Sequence, residues 1–414
     1  MREIISSIDV GGNKIKLVVG EFYENEFNIL CAVEEPTRGF IDHEITNENE
    51  LIKAIKRVLN KASLKLNFKI KKVIVNIPTS YNNFVISEAT EKIDNEESKV
   101  TSKCILKVIQ NTTKNQININ EELIAAIPVY FRVADEETKE PFNKRGKSIL
   151  AKTVLVTGSK IEVYSLIGAL EKCGLEVIDI ASPGLVDYYN FKNESLDKDV
   201  GIIVNIGHYK THVSVINKGI YINNDVIPVG GANIDNDIAF MYKLRRGDAK
   251  YLKENLALAH TRRANPKETK EILNKEGETL VINQYELSEI VASRVTEMLK
   301  LIKTSINHLT KKEISYIIIT GGLSELKDFN IAVSTLFGET AQIGRINNLG
   351  ARDNKYSTGV GMIKYFKSKL ILRHREYQSV SDENIEAMLE SATKSKIVAS
   401  DSILGKVFGY FFDS

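Results

Sequence analysis

Residues 8–19 read IDVGGNKIKLVV, which is an apolar strand, a glycine turn and a second strand of alternating polarity. The same order of residue types returns 196 residues further on, where residues 204–215 read VNIGHYKTHVSV. Each copy is typical of a tight hairpin whose glycines let the backbone come close to a ligand. Two such hairpins facing each other predict a duplicated molecule that holds a nucleotide phosphate chain between its halves.

The length and composition limit the class of protein. A chain of 414 residues is too long for a single simple core, so at least two domains are expected. The 56 basic and 54 acidic residues nearly balance, which argues against a general nucleic-acid-binding protein. Cys31, Cys104 and Cys173 form no paired motif and are typical of reduced thiols in a cytosolic protein. We predict neither a signal peptide nor an apolar run of ~18 residues that spans a membrane.

Hydrophobic periodicity outlines the fold. The first part of the chain reads as three strands, a helix over residues 51–66 and a fourth strand, an order that suits a sheet covered by helices. Residues 81–165 have shorter apolar runs and are too many for a loop, so they are expected to form a small unit of their own. Residues 237–309 read as mostly helical, with a polar interruption at 261–277.

Glycines occur at four predicted strand ends or helix starts. They are the pairs Gly11-Gly12, Gly230-Gly231 and Gly321-Gly322 and the single Gly207. A glycine has no Cβ, so its backbone N–H group can approach an anion closely. Asp9 stands at the end of the first strand, where a carboxylate can hold Mg²⁺ that keeps most of its water ligands. Ordinary hairpin turns are the plain alternative for each copy, but the four marks together favour nucleotide binding.

The order of these motifs resembles the actin-like ATPase superfamily, and within it essentially the whole chain resembles the FtsA family. The resemblance implies ATP and Mg²⁺ as ligands, with Asp9 holding Mg²⁺ through water. It also implies that the phosphates are bound by Asp9, Gly11, Gly12, Asn13, Lys14, Asn205, Gly207, His208, Tyr209 and Thr211. The adenosine is then bound by Gly230, Gly231, Lys253, Gly321, Gly322, Leu323 and Ser324.

The same resemblance implies a two-lobed α/β fold: an actin-like, duplicated ribonuclease-H-like fold with a small inserted α+β subdomain and a C-terminal amphipathic helix. Its expected parts are a first lobe (1–80 and 166–200), an insertion in place of an actin subdomain (81–165), a second lobe (201–229 and 310–372), a helical subdomain of that lobe (230–309), a flexible linker (373–400) and an amphipathic membrane-targeting helix (401–414). The segment IPVYFRV at residues 127–133 resembles a recurring sequence of FtsA insertions.

Some positions depart from the family pattern. Asn205 stands where many superfamily members carry Asp, and an amide cannot act as a metal-binding anion or as a base in the same way. Lys250 and Ala257 stand where the ribose-side segment of the family has an acid and a glycine. No carboxylate stands out at 181–184 as a base that orients water, so no catalytic residue is assigned. We therefore expect ATP binding with slow hydrolysis or none.

The C-terminal residues carry a further pattern. Their apolar side chains recur at the spacing of one helix face, and they are Ile403, Leu404, Val407, Phe408, Phe411 and Phe412. So short a helix is marginal in water, which indicates folding on a target. A final helix packed on the protein's own core is the alternative. The resemblance to FtsA implies membrane lipid as the target. Because this segment carries little positive charge, apolar area is expected to drive insertion more than anionic lipid does.

The segment 288–306 is predicted to be a helix and contains a candidate partner site at Arg294 and Glu297. The resemblance implies that these two residues help to bind the C-terminal peptide of the tubulin-like protein FtsZ. A guanidinium suits an acidic peptide because it forms two parallel hydrogen bonds with a carboxylate. The plain alternative is a solvated helix face, where charges three residues apart commonly pair.

These expectations describe an ATP-binding protein of bacterial cell division that forms filaments and tethers FtsZ to the cytoplasmic face of the cell membrane at the division site. Its expected partners are FtsZ, further copies of itself and membrane lipid, but not nucleic acid. One alternative is the type IV pilus assembly protein PilM, which shares the core and the insertion but lacks the apolar tail at 403–412. A sugar or acetate kinase of the same fold is a second alternative, which the lack of a clear base disfavours.

Overall fold

The computed structural model describes residues 2–24, 26–346, 348 and 350–377. Its strands are β1 (Glu3–Val10), β2 (Lys14–Tyr23), β3 (Glu26–Pro36), β4 (Phe40–Ile41), β5 (Glu44–Ile45), β6 (Lys72–Asn76), β7 (Asn83–Lys92), β8 (Glu121–Val133), β9 (Glu136–Thr138), β10 (Ser148–Ser159), β11 (Glu176–Ala181), β12 (Val200–Ile206), β13 (Thr211–Asn217), β14 (Ile220–Ile227), β15 (Thr269–Leu273), β16 (Thr279–Asn283), β17 (Tyr316–Thr320) and β18 (Ala341–Ile343).

The α-helices are α1 (Glu48–Leu66), α2 (Ser102–Thr113), α3 (Lys160–Glu171), α4 (Pro183–Phe191), α5 (Gly231–Met241), α6 (Arg246–Asn255), α7 (Gln284–Leu309), α8 (Phe329–Phe337) and α9 (Ser357–Leu372). The helix predicted over 51–66 is confirmed as the main part of α1. It begins after Asn47, whose side-chain oxygen accepts a hydrogen bond from the backbone N–H of Glu50 at 3.1 Å. This contact satisfies one of the free donors of the first turn.

A five-stranded sheet in the order β11-β6-β1-β2-β3 forms the centre of the first lobe. All eight residues of β1 are buried, because α1 belongs to the core on one face and α9 packs on the other. β1 runs antiparallel to β2 and parallel to β6. The predicted order of three strands, a helix and a strand is confirmed, and the short strands β4 and β5 add one small hairpin before α1.

The second lobe repeats this arrangement with a sheet in the order β14-β13-β12-β17-β18. Here β12 is antiparallel to β13 and parallel to β17, as β1 is to β2 and β6. The two hairpins also share their register: Asp9 lies opposite Lys16 in the first, and Asn205 lies opposite His212 in the second. The duplication that the sequence predicts is therefore present at the level of single residue pairs.

A separate four-stranded sheet in the order β7-β10-β8-β9 lies within the predicted insertion 81–165. The helix α2 packs on it, and Ile105 and Val108 of the helix share a small apolar cluster with Phe131 and Ile149 of the strands. This part of the chain has a core of its own, as its length implies.

The stretch 237–309 differs from the mostly helical prediction at its polar interruption. Residues 269–283 form the two-stranded hairpin of β15 and β16 before α7 begins. Ile282 is the fully buried apolar residue of this hairpin, whereas Leu273 and Val281 expose 62% and 63% of their surface. A strand pattern is weak where one face of a two-stranded ribbon lies in solvent.

The helices α4 and α9 pack on each other between the two sheets, each following the last strand of its lobe. α9 ends at Leu372, where the sequence predicts the end of the folded body. Residues 373–377, at the start of the predicted linker 373–400, pack on that body through His374 and Tyr377. The remainder of this linker and the predicted amphipathic helix 401–414, with Ile403, Leu404, Val407, Phe408, Phe411 and Phe412, lie outside the described residues. Within the described ranges, we find no helix with the length and apolar character needed to cross a membrane.

Candidate functional site

The turns of the two hairpins line one cleft, which has a volume of about 500 Å³. Each turn has four residues and is closed by the same bond, from Gly11 N–H to the Lys14 carbonyl at 3.2 Å and from Gly207 N–H to the Lys210 carbonyl at 3.0 Å. The next two N–H groups of each turn have no protein acceptor within the described residues, and they belong to Gly12, Asn13, His208 and Tyr209. Free backbone N–H groups in a turn form a concave site for an anion.

The two turns are in direct contact across the cleft. A Cβ atom added to Gly12 would lie 2.5 Å from a ring carbon of Tyr209, so the aromatic ring rests on the bare backbone of the first turn. A residue with a side chain at position 12 would push this ring away or open the cleft. The large Tyr209 side chain of the second turn therefore fits because position 12 of the first turn is a glycine.

Asp9 lies at the bottom of the cleft and is almost fully buried. Its Oδ2 accepts a hydrogen bond from Lys16 Nζ at 2.9 Å, and its Oδ1 accepts one from Asn76 Nδ2 at 3.1 Å. The amide oxygen of Asn76 is buried without a hydrogen-bond partner among the described residues. A carboxylate beside a free amide oxygen suits a hydrated Mg²⁺, whose water ligands donate hydrogen bonds to such acceptors.

Asn205 occupies the position equivalent to Asp9, but its surroundings are different. Its Nδ2 donates to Asp187 Oδ2 at 2.6 Å, and Asp187 also accepts from Ser357 at 3.1 Å and Thr358 at 3.0 Å. Asp187 is fully buried, and this desolvation raises its pKa to about 6 although the three donors favour the charged form. An acid at position 205 would face a second carboxylate, which explains why this chain carries an amide there.

The residues predicted for the adenosine surround the other end of the cleft. Gly231, Lys253, Gly321, Gly322 and Leu323 line it directly. The Lys253 ammonium is buried, forms an ion pair with Asp235 at 2.6 Å and donates to the Gly231 carbonyl at 3.1 Å.

Three further predicted residues lie behind the lining of the cleft. Gly230 is the residue before α5 and donates its N–H to Asn233 Oδ1 at 2.9 Å. Thr211 donates its hydroxyl to the Val229 carbonyl at 2.8 Å, and Ser324 donates its hydroxyl to the Gly321 carbonyl at 2.8 Å. These residues shape the turns and do not face the cleft.

Gly321 is required by the backbone. Its φ of +94° lies in the region that residues with a Cβ rarely adopt, and a Cβ there would lie 2.5 Å from the Ile206 carbonyl oxygen. The strand β17 can therefore turn sharply beside the end of β12, which brings Gly322 and Leu323 to the cleft.

Basic side chains dominate the charge of the cleft. Its described lining contains seven lysines, which are Lys14, Lys16, Lys210, Lys250, Lys253, Lys327 and Lys355. It contains four carboxylates, which are Asp9, Glu254, Glu325 and Asp353. Burial and the nearby Lys253 lower the pKa of His208 to about 4, so this ring is neutral at pH 7. A site with this charge and this volume fits a polyanion such as a nucleoside triphosphate.

Several contacts hold the two lobes together around the cleft. Lys250 of α6 donates to Asn13 Oδ1 at 2.8 Å, although the family pattern has an acid at this position. Lys210 forms an ion pair with Asp42 at 3.1 Å. The rings of His43 and His212 stack with their centroids 5.7 Å apart. The second hairpin therefore touches the first lobe through its turn and through its second strand.

Comparison with known proteins relates the chain to one family. Residues 202–361, which include the second hairpin, match the family model described as cell division protein FtsA. FtsA of Bacillus subtilis is 23% identical over 367 residues, which cover 88% of this chain and 83% of the relative. FtsA of Escherichia coli is 23% identical over 384 residues, which cover 88% and 91%.

The chain is thus similar in sequence to FtsA proteins.

The fold is that of the actin-like proteins. The PilM–PilN type IV pilus biogenesis complex contains a chain that superposes with a TM-score of 0.59 at 12% identity, covering 86% of this chain and 97% of that one. MreB5 of Spiroplasma citri bound to ADP gives 0.55 at 11% identity, with coverages of 90% and 98%. The ethanolamine utilization protein EutJ of Carboxydothermus hydrogenoformans gives 0.53 at 13%, with coverages of 88% and 90%. At these identities the likeness concerns the fold alone, whereas the sequence relatives are FtsA proteins.

The residues predicted for the FtsZ peptide lie on α7 and are not part of the lining of the cleft. Arg294 forms two parallel hydrogen bonds with Asp237 of α5, at 2.6 and 2.9 Å, and its remaining nitrogen donates to Glu297 at 2.6 Å. Phe240 and Met241, at the end of α5, expose 84% and 62% of their surface close to this cluster in sequence. The predicted pair is thus one part of a larger charged and apolar surface.

The sequence analysis missed four residues that the cleft depends on: Lys16, Asn76, Lys210 and Asp187. The signal for Lys16 is present in the sequence, because the hairpin register places it opposite Asp9. Asp187 follows Leu185 and Val186 in a helix that is buried on all sides, and an acid in such a helix needs a partner. Only the fold identifies that partner as Asn205.

Proposed function

We propose that this chain is an ATP-binding, actin-like scaffold of bacterial cell division, which polymerises and tethers FtsZ filaments to the cytoplasmic face of the cell membrane at the division site. The matched relatives are cell division proteins named FtsA, and the neighbours in structure include MreB5 bound to ADP. Both findings support the proposal.

The observation that carries ATP binding is the cleft between two hairpins of matched register. The free N–H groups of Gly12 and Asn13 on one side, and of His208 and Tyr209 on the other, would bind the phosphates together with Lys16. Gly231, Lys253 and the Gly321–Leu323 turn would enclose the adenosine. Asp9 and Asn76 would hold Mg²⁺ through its water ligands, and the bound metal would neutralise phosphate charge.

The chemistry of the lining supports slow hydrolysis or none. A base that activates water needs a free carboxylate or imidazole near the phosphates. The Asp9 carboxylate accepts from Lys16 and Asn76, and Asp187 is buried with three donors. Asn205 donates its amide to Asp187 and is not a base. Asp9, Asp187 and Asn205 therefore do not supply such a base, which supports slow hydrolysis or none.

Equilibrium binding of ATP and single-turnover phosphate release test this proposal. We expect binding that requires Mg²⁺, a loss of the Mg²⁺ requirement in Asp9→Asn, and a turnover far below the ~10 s⁻¹ of an ordinary enzyme. Arg263→Gln is a matched control, because this exposed side chain lies outside the cleft lining and pairs with Asp328. Failure to bind ATP, or turnover at the ordinary enzymatic rate, would refute the proposal.

We place the FtsZ peptide on the surface formed by Asp237, Phe240 and Met241 of α5 with Arg294 and Glu297 of α7. An acidic peptide can take the place of Asp237 on the Arg294 fork, while apolar peptide residues cover the exposed Phe240 and Met241. Arg294→Glu should abolish binding of the FtsZ C-terminal peptide in a fluorescence anisotropy titration. Lys300→Glu, an exposed change of equal charge on the same helix, should leave it intact. Unchanged affinity in Arg294→Glu would exclude this site.

The apolar face at 403–412 is the proposed membrane anchor. Deletion of residues 402–414 should abolish co-sedimentation with liposomes, and undiminished binding would exclude the anchor. Electron microscopy of the full chain on lipid monolayers with ATP, beside the deletion variant, tests filament formation in the same sample. Filaments on the monolayer that require both ATP and the last residues support the scaffold role.

A further inference from the structure

The last described residues, 373–377, lie at a defined place on the folded body. After α9, the backbone N–H groups of Arg373 and Arg375 bond to the Leu370 carbonyl at 3.1 and 3.0 Å. The His374 ring stacks on Phe142 of the insertion with the centroids 3.6 Å apart. Tyr377 then packs edge-on against Phe366 at 5.5 Å, and Lys72 lies over its ring at 5.6 Å. Residues 373–377 are thus held against the first lobe and the insertion.

Basic residues are concentrated in the two chain segments that meet at the contact of Lys72 with Tyr377, around the start of β6 and after α9. We name Lys69, Lys71, Lys72, Arg373 and Arg375 the exit patch. Lys72 forms an ion pair with Glu176 at 3.5 Å, whereas the other four form none with any described residue. The acidic residues of these two segments and of β11 are Glu176, Asp179 and Glu376. Asp179 pairs with Lys369 of α9 at 2.7 Å, so the positive charge prevails. Ile371 beside it is 61% exposed, although it is a large apolar side chain.

The segment that follows the exit patch has the opposite character. Residues 378–400 carry four acidic and two basic side chains, and residues 401–414 carry two Asp and one Lys. The apolar face at 403–412 can insert into any bilayer, but nothing in that segment attracts an anionic one. The basic charge that an anionic leaflet would recognise lies on the folded body instead.

We propose that the exit patch is a second membrane-binding surface, which lies against anionic lipid headgroups and makes the protein selective for them. The proposal rests on the proposed membrane anchor. The 23 residues from 378 to 400 reach at most about 80 Å, so an inserted anchor keeps the patch near the bilayer. Once the anchor is inserted, binding of the exit patch to the same bilayer is intramolecular. Even a weak contact of the patch then raises the overall affinity for the membrane. Exposed Ile371 adds an apolar side chain at the height of the headgroups.

The expected effect follows from surface electrostatics. Each Lys or Arg close to an anionic leaflet strengthens binding by about fivefold, and the attraction decays within a Debye length of about 10 Å. Four such side chains should raise the affinity for anionic vesicles by well over tenfold at low salt. The same preference should fade as salt is added, while the apolar contribution of the anchor persists.

Vesicle co-sedimentation of the full chain tests the patch. The vesicles are phosphatidylcholine alone or phosphatidylcholine mixed with phosphatidylglycerol. We expect the unsubstituted chain to prefer the mixed vesicles by at least about tenfold. The variant K69Q/K71Q/R373Q/R375Q should lose this preference and still bind phosphatidylcholine through the anchor. Lys72 is kept because it holds Tyr377.

The control variant K267Q/K275Q/K300Q/K312Q removes four exposed lysines from the second lobe, and it should keep the preference. An undiminished preference in the exit-patch variant, or an equal loss in the control, would overturn the proposal. Tighter binding of the patch to a short DNA duplex than to mixed vesicles would overturn it as well. A failed anchor gives a different result, because deletion of 402–414 would then leave binding to pure phosphatidylcholine unchanged.

Discussion

The first and second hairpins share strand order, turn length and register, yet they place different chemistry at equivalent positions. In the first, Asp9 and Lys16 form a charged pair at 2.9 Å that faces the cleft. In the second, the equivalent pair is Asn205 and His212, and burial lowers the pKa of His212 to about 4, so both are neutral at pH 7. One fold element thus supports a charged site in one lobe and an uncharged one in the other.

The difference teaches that duplication preserves backbone geometry more strictly than side-chain roles. Both turns keep the closing bond and the free N–H groups that an anion would need. The second hairpin uses its polar strand end to bind Asp187 of α4, and through it Ser357 and Thr358 of α9. Asn205 therefore ties its sheet to the two helices between the lobes, whereas Asp9 remains available to the cleft.

The largest expected effect comes from making the second hairpin resemble the first. Asn205→Asp should lower the free energy of unfolding by about 3 kcal/mol at pH 7, because it removes a donor from the buried Asp187 and adds a second carboxylate beside it. The loss should shrink towards pH 5, where one of the two carboxyls takes up a proton and donates. Chemical denaturation at both pH values measures the change.

The reversed pair provides the control for this prediction. In the double variant Asp187→Asn with Asn205→Asp, the amide donates from position 187 and the carboxylate accepts at position 205. The amide oxygen at position 187 can still accept from Ser357 and Thr358, so most of the stability should return. A double variant as unstable as the single one would show that the 2.6 Å contact does not explain the amide at position 205.

The next effect concerns pH. An unfolded chain protonates His212 below pH 6.5, whereas the folded protein, with its pKa near 4, does not, so this residue lowers stability as the pH falls from 6.5 to 4. At pH 5 the loss is about 2 kcal/mol. Asp187 opposes it, because its raised pKa lets the folded state bind a proton between pH 6 and 4. His212→Phe keeps a ring against His43 and should flatten the acid limb of a stability–pH curve. An unchanged curve would contradict the assignment.

The sequence contained most of the fold because the signals were local. Alternating strands, the glycine turns and the apolar spacing of α1 define elements whose type does not depend on distant residues. The duplicated register followed from the spacing of residues 8–19 and 204–215. The β15–β16 hairpin was missed because its strands have only five residues each and carry adjacent apolar residues, so they lack the alternation of a half-buried strand.

The site was only partly predictable, because some of its contacts join residues that are distant in the sequence. The turn glycines and Asp9 belong to local motifs, and the sequence identified them. Asp187, by contrast, meets Asn205 and Thr358 only after α4 and α9 have packed between the two sheets. The contact of Tyr209 with Gly12 likewise depends on how the lobes close. No pattern within one segment reports a partner that lies 171 or 197 residues away.

A smaller effect tests the contact between the turns. Gly12→Ala places a Cβ against the Tyr209 ring and should cost about 1 to 2 kcal/mol in the free energy of unfolding. In a Tyr209→Ala background the same change should cost much less, since the ring is gone. Gly207→Ala is the control: its Cβ would lie 2.9 Å from the Lys210 carbonyl of its own turn, so Tyr209→Ala should give no relief. If Tyr209→Ala reduced the stability cost of Gly12→Ala and of Gly207→Ala equally, the Tyr209 ring would not rest on Gly12.

The smallest effect concerns the bond from Lys250 to Asn13, which joins the second lobe to the first turn at 2.8 Å. Lys250→Ala and Asn13→Ala should each have little effect, with a coupling of about 0.5 kcal/mol in a double-mutant cycle. The coupling energy is expected to be this small because the acceptor, Asn13 Oδ1, is neutral and the Lys250 side chain is partly exposed to water. Strictly additive losses would show that the two side chains do not interact in solution. An amide can rotate and donate its Nδ2 to an acid, so Lys250→Glu should keep a coupling of the same sign with the direction of the bond reversed. This departure from the family pattern would then change which side chain donates, while the contact that closes the lobes on the first hairpin is kept.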